Sequence, residues 1–245
     1  MIEGLRRVRP AFLASVTSAD EASLALAGGA DVIDCKDPSA GALGALSGDV
    51  VREIVIRVAG RLPVSATIGD LPPDPEALVT AARAMASTGV DIVKIGFFGA
   101  RDPRPAIAAL GREKGPSTQL IAVLMADQNP DFTLASELAA HGFSGVMLDT
   151  ADKANGRLTS VAPAGALAKF VEGAHARGLM CGLAGSLRME DIAGLASLGS
   201  DVLGFRGALC SAGRQSKLDP TRLAAVRLEI SRAREADTAQ ERSVA

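Results

Sequence analysis

Residues 31–45 read DVIDCKDPSAGALGA, and the change of character along this stretch decides the fold. DVID is a strand of apolar alternation. It runs into Lys36 and Asp37 and then into a turn of Pro38, Ser39 and Gly41. A strand that ends on charge and breaks into such a turn is how a barrel strand arrives at an active site. Asp34 and Lys36 are two residues apart, so on a strand they point to the same side, where apolar neighbours are the norm. A buried structural ion pair is one reading, although desolvation makes such pairs costly unless well matched. The sharper reading is a lysine held for covalent chemistry.

The same pattern returns along the chain. GADVIDCK begins at Gly29, GVDIVKIG at Gly89, GFSGVMLD at Gly142 and GSDVLGFR at Gly199. Each copy has a glycine closing a helix, a short spacer and an apolar strand, as a buried parallel strand after a helix C-cap should look. The spacing, roughly 55 residues, matches two βα units of a barrel of about 250 residues. Between the copies lie four more apolar runs of strand length, at 11–16, 63–68, 119–125 and 179–184. Segments 19–28, 73–89, 132–141, 162–178 and 189–198 read as helices. In the second of them Asp74 is the N-cap, Pro75 the first helical residue and Gly89 the residue past the end.

Eight alternating units predict a single α/β domain of the (β/α)8 TIM-type barrel class over residues 1–234. A doubly wound open sheet is the alternative, weakened by the absence of G-x-G-x-x-G after the first strand. The last helix starts near Asp219, and residues 235–245, EADTAQERSVA, lose periodicity and are expected to be frayed or disordered.

Composition narrows the function. The chain has 245 residues, 48% of them hydrophobic, and a formal charge of -2, with a mean hydropathy of +0.23 and a pI near 5.8. Lys and Arg are dispersed and aromatics make up only 3%, so neither a basic stripe nor a base-stacking platform points to nucleic acid. Cys35, Cys181 and Cys210 are odd in number and far apart, which fits a reducing cytoplasm rather than a disulfide framework or a zinc cage. MIEGLRRVRP has no apolar run behind its charges, and nothing approaches the roughly 20 apolar residues of a membrane helix. A soluble cytoplasmic protein with no membrane partner is expected. Apolar helix faces in an Ala-rich shell are compatible with a homo-oligomer.

In a barrel of this kind alternate strands feed the same interior layer. Laying the four repeats in register puts Lys36, Gly96, Asp149 and Arg206 at one level, and Asp34, Lys94, Met147 and Gly204 one level below. The two glycines are then expected to leave room for the charged side chains. Lys153 follows Asp149 in the next loop. Several ammonium groups round one pocket repel one another, so at least one lysine is expected to lose its proton more readily and become a nucleophile. Such an amine forms a Schiff base with an aldehyde or ketone, while Asp34, Asp149 and Lys94 can move protons.

The strand ends at GLAGSLR (Gly182, Gly185, Ser186, Arg188) and GFRGALC (Arg206, Gly207) occupy the usual phosphate corner of this fold. Gly185, Ser186, Arg206 and Gly207 are therefore the candidate phosphate ligands. Gly213 and Arg214 either cover the same anion or solvate a loop. Thr67 and Asp70 of SATIGD end the third strand and can face the mouth. His141 and His175 fall near helix ends, where histidine caps carbonyls, and without a third His or an acid cluster no catalytic metal is indicated.

LASV, GADVIDCKDPSAGALGA, SATIGD, GVDIVKIGFFG, GVMLDTADK and GLAGSL occur in an order that resembles the (5-formylfuran-3-yl)methyl phosphate synthases of methanofuran biosynthesis, over essentially the whole chain up to Asp219. That resemblance implies a TIM-type barrel without an organic cofactor. It implies a carbon–oxygen lyase acting on phosphates, which joins two molecules of glyceraldehyde 3-phosphate with loss of phosphate and water, in the service of one-carbon metabolism. It puts the Schiff-base lysine at Lys36, a proton-accepting lysine at Lys94, and further acid and base groups at Asp34, Asp149 and Lys153. A Schiff-base aldolase acting on another sugar phosphate and a non-catalytic phosphometabolite-binding barrel are the competing readings.

Overall fold

The computed structural model describes residues 4, 9–99, 101–113, 118–152 and 156–244, with side chains up to 236. Eight parallel strands close in chain order into one barrel: β1 (Ala11–Val16), β2 (Val32–Cys35), β3 (Val64–Thr67), β4 (Ile92–Phe97), β5 (Gln119–Met125), β6 (Gly145–Asp149), β7 (Met180–Leu183) and β8 (Val202–Phe205). Around it run α1 (Ala19–Ala27), α2 (Gly48–Val58), α3 (Pro75–Ala86), α4 (Arg104–Glu113), α5 (Leu134–Ala140), the single turn α6 (Leu158–Val161), α7 (Ala164–His175), the short α8 (Ile192–Ala196) and α9 (Pro220–Val244). The closed barrel, not the open sheet, is the outcome of the alternation.

Local chemistry sets the helix ends. The Asp74 carboxylate accepts the Ala77 N–H at 2.8 Å with Pro75 opening α3, which satisfies one of the orphan donors of the first turn. Ser18 and Ser47 do the same for α1 and α2. The backbone of α9 stays helical through residues 235–244, where the sequence predicts a frayed tail. Ala, Arg, Glu and Gln in that segment favour helix even without an apolar stripe.

The core has two shells. Large apolar residues such as Phe12, Ile33, Ile54, Leu78, Ile107 and Leu148 fill the space between strands and helices. A smaller set, including Leu13, Val32, Ile92, Ile121, Met147 and Val202, fills the barrel itself.

The repeat has a structural use at the lower end. The Asp31, Asp91 and Asp201 carboxylates accept the backbone N–H of Phe12, Val64 and Cys181 at 2.8, 2.8 and 2.7 Å. Each aspartate thus staples the start of an even strand to the odd strand before it. The corresponding position before β6 is Ser144, whose N–H bonds Leu120 O. Among the described residues no helix is long and apolar enough to cross a membrane.

Candidate active site

Strand alternation and pairing carry the charged side chains inward at the C-terminal end of the barrel. Asp34 pairs in register with Ser15 on β1 and Ser65 on β3, and both hydroxyls donate to its carboxylate, at 2.9 and 2.7 Å. Lys94 Nζ completes the set at 2.7 Å from Asp34 Oδ1. Asp34 and Lys94 are buried, at 0% and 4% exposure. One level higher, Lys36 Nζ stands 3.0 Å from Asp149 Oδ2, while Asp149 Oδ1 accepts the Thr150 N–H at 2.7 Å. The two levels inferred from the repeat are therefore the two ion pairs. Each ammonium has its own carboxylate, so the like charges expected to repel one another are balanced pairwise.

Of the two glycines, Gly204 lines the cavity, whereas Gly96 serves a different end from the one expected. A Cβ at Gly96 would lie 2.4 Å from the Phe98 ring and 2.6 Å from Leu43 Cδ1. The room at that level is taken by apolar atoms, not by charged side chains. Leu43 comes from the loop after β2, is buried and joins the inner apolar cluster.

Both ion pairs line a cavity of about 520 Å³, whose other wall includes residues 184–190, 204–208, Arg214 and Arg222. Gly185 and Ser186 both adopt positive φ, 109° and 53°. Glycine is required at 185, since a Cβ there would also sit 3.0 to 3.3 Å from Thr150. The backbone N–H groups of residues 185–187, 207 and 208 donate no hydrogen bond among the described residues. They remain available to a ligand.

Arg206 lines the same cavity but is committed to the protein. Nε bonds Arg214 O at 2.9 Å; one terminal nitrogen bonds Ser15 O and Glu21, the other Glu21 and Ser216 O. All five guanidinium donors are thus engaged. Arg206 organises the loop that presents Gly207. Burial pushes the Glu21 carboxyl up, but its bonds to Arg206 and Thr17 more than offset this and hold it below its ordinary range. Arg214 donates to Pro38 O and Gly41 O, both at 2.7 Å, and so ties the loop after β8 to the loop after β2.

Several other sequence candidates find their places here. The Thr67 hydroxyl donates to Gly44 O at 2.9 Å, and the Asp70 carboxylate faces backbone N–H groups of the β2 loop. His175 caps no carbonyl through Nε2, which lies 2.9 Å from the buried Asp201 carboxylate at the opposite end of the barrel. His141 Nε2 is 3.9 Å from Glu137. Lys153 lies outside the described residues. No cluster of three or more potential metal ligands occurs among the described residues. Ser15, Ser65 and Glu21 are not among the residues the sequence singles out, although a polar residue at an inward position of an otherwise apolar strand is the signal that marks the two serines.

Fold and site define a (β/α)8 barrel with two lysine–carboxylate pairs at its strand ends, facing a glycine-rich corner of uncommitted backbone N–H groups. The 4-HFC-P synthase family model matches residues 12–227, and the chain belongs to that family. A Methylorubrum extorquens protein that carries the name (5-formylfuran-3-yl)methyl phosphate synthase provisionally is 46% identical over 224 residues, 91% of this chain and 92% of its own. The (5-formylfuran-3-yl)methyl phosphate synthase of Methanopyrus kandleri is 38% identical over 221 residues, 86% of this chain and 93% of its own. Among solved structures, phosphoribosyl anthranilate isomerase from Thermus thermophilus superposes with a TM-score of 0.65 at 16% identity, covering 91% of this chain and 98% of that one. Thiamine phosphate pyrophosphorylase from Pyrococcus furiosus does so at 0.63 and 13%, covering 94% and 98%. These two likenesses speak for the barrel alone.

Proposed function

We propose that the protein is a (5-formylfuran-3-yl)methyl phosphate synthase. In this reading it condenses two molecules of glyceraldehyde 3-phosphate through a Schiff base on Lys36, in a pathway to a methanofuran-type cofactor. The observation that carries it is the stacking of two lysine–carboxylate pairs in one cavity with uncommitted backbone N–H groups. Binding a phosphometabolite calls for the N–H groups; it does not call for two buried ammonium–carboxylate pairs.

The chemistry runs through this chain's own groups. Lys36 Nζ attacks an aldehyde carbon, and Asp149, 3.0 Å away, takes and returns the proton as the carbinolamine loses water. The iminium withdraws electrons from the adjacent C–H, which Lys94 and Asp34 deprotonate from below. Loss of that triose's phosphate, by carbon–oxygen cleavage at the next carbon, turns the freed methylene carbon into the nucleophile, and it attacks a carbonyl carbon of the second triose. Ring closure through oxygen and loss of water then give the furan. Two trioses thus become one furan phosphate, one inorganic phosphate and two waters. The backbone N–H groups of 185–187 and 207–208 hold the retained phosphate, and Lys153 is a further proton carrier in this proposal.

The test is incubation of the protein with glyceraldehyde 3-phosphate, following the ultraviolet absorbance of a conjugated furan aldehyde, released phosphate and borohydride trapping at Lys36. All three signals are expected, and all three vanish in Lys36→Ala. An adduct without furan or phosphate would favour the aldolase reading. No adduct with any triose phosphate would overturn the covalent route.

A further inference from the structure

Two carboxylates outside the ion pairs share one unusual arrangement. Asp70, three residues past the end of β3, accepts two successive backbone N–H groups of the β2 loop, Ala42 at Oδ2 and Leu43 at Oδ1, both at 2.7 Å. Asp127, two residues past the end of β5, accepts two successive N–H groups of the β6 loop, Ala151 at Oδ1 and Asp152 at Oδ2, both at 2.8 Å. In each case an odd strand sends a carboxylate sideways to grip the loop leaving a neighbouring even strand. Those two even strands carry Lys36 and Asp149.

We propose that Asp70 and Asp127 are positioning residues for the pair of Lys36 and Asp149, each fixing one partner through the loop that follows it. Two charge-assisted bonds from consecutive peptides to one carboxylate fix the plane of the loop as well as its distance. On the β2 side the loop is already closed on itself, with Asp37 N–H on Gly44 O at 2.8 Å, so gripping residues 42 and 43 locates the whole ring. It seats Leu43 against Gly96. The fit is tight: a Cβ at Gly41 would lie 2.2 Å from Asp70 Oδ2, and Gly41 has a φ of +113°. On the β6 side, gripping 151 and 152 holds the Thr150 peptide, whose N–H occupies Asp149 Oδ1. That leaves Asp149 Oδ2 turned toward Lys36.

The importance for catalysis rests on the proposed role of Lys36, but the grip itself can be read without substrate. Asp70→Asn and Asp127→Asn keep the shape and replace one acceptor oxygen with a donor facing a backbone N–H. Three measurements apply to the full chain: the rate of reductive methylation of Lys36 by formaldehyde and borohydride, followed by peptide mass spectrometry; kcat and KM with glyceraldehyde 3-phosphate; and the thermal midpoint. Asp31→Asn is the control, since it breaks the same kind of bond at the opposite end of the barrel.

In the two test variants Lys36 methylation is expected to rise several-fold, and kcat to fall roughly ten- to a hundredfold with KM little changed, as misplacement of a reacting group predicts. Asp31→Asn is expected to lower the midpoint alone. Methylation and kcat that match wild type after correction for the folded fraction would overturn the proposal. Should the Asn variants fail to fold, Gly41→Ala, which crowds Asp70 without removing it, carries the same test. If wild type turns over no triose phosphate, the catalytic proposal fails, and the methylation rates still decide whether the grips position Lys36.

Discussion

Asp34→Asn isolates what the lower ion pair contributes. Asp34 is fully buried and accepts from Ser15, Ser65 and Lys94. The amide retains the shape but not the charge, so the Lys94 ammonium, 4% exposed, loses its counter-ion in an enclosed site. Stranding a buried charge costs about 3–5 kcal/mol. In a domain of this size each kcal/mol is worth about 2–4 °C, so the midpoint should fall by about 6–20 °C. The assay is thermal and urea unfolding followed by circular dichroism at pH 7, with Lys94→Met and the double variant alongside. The double variant removes both charges and should recover much of the loss, so that the two single effects sum to more than the pair. An Asp34→Asn midpoint within about 2 °C of wild type, or strictly additive variants, would refute the reasoning that this pair is electrostatically interdependent.

Three more expectations bear on other parts of the molecule. The Glu21 carboxyl is held below its ordinary value of 4.5 in the fold, so its stabilisation is complete above that pH and is lost as pH falls through the lower folded value; Glu21→Gln should give lower stability at neutral pH and a shallower acid limb in urea unfolding from pH 7 to 3. Gly185→Ala must adopt a φ of +109° and crowd Thr150, so affinity for inorganic phosphate, measured by calorimetry, should drop and the midpoint should fall by roughly the 1–3 kcal/mol equivalent of backbone strain. Burial pushes the thiols of Cys35, Cys181 and Cys210 above their ordinary values; at pH 8 none should react with a disulfide reagent in the native protein, whereas all should react after unfolding in urea.

The even strands were legible because alternation of period two and a fourfold repeat both act over a few residues. Lys36, Asp34, Lys94 and Asp149 could be put on two levels from the sequence, and the two ion pairs join them level by level. The partnership of Arg206 with Glu21 was not legible, since 185 residues separate them and only barrel closure brings β1 beside β8. Without Glu21, Arg206 reads as an anion ligand. Leu43 shows the same limit in apolar form: GALGA reads as a turn, and nothing local tells that its leucine returns to fill the space above Gly96. Asp70 was visible as a polar residue at a strand end, but its two backbone donors lie 28 and 27 residues away, beyond any local pattern.

The aspartate staples at the start of β2, β4 and β8 divide each repeat into two parts with separate duties. The aspartate that opens the repeated strand secures a seam between neighbours; the residues three and five positions later face the barrel interior and differ in every copy. Like interchangeable heads on a common shank, the strand ends can be exchanged while the seams stay intact. Grafting the upper half of one quarter onto another should therefore alter what the cavity accepts well before it threatens closure of the barrel. Ser144, where a fourth staple is missing, is the natural site at which to reinforce such a chimera.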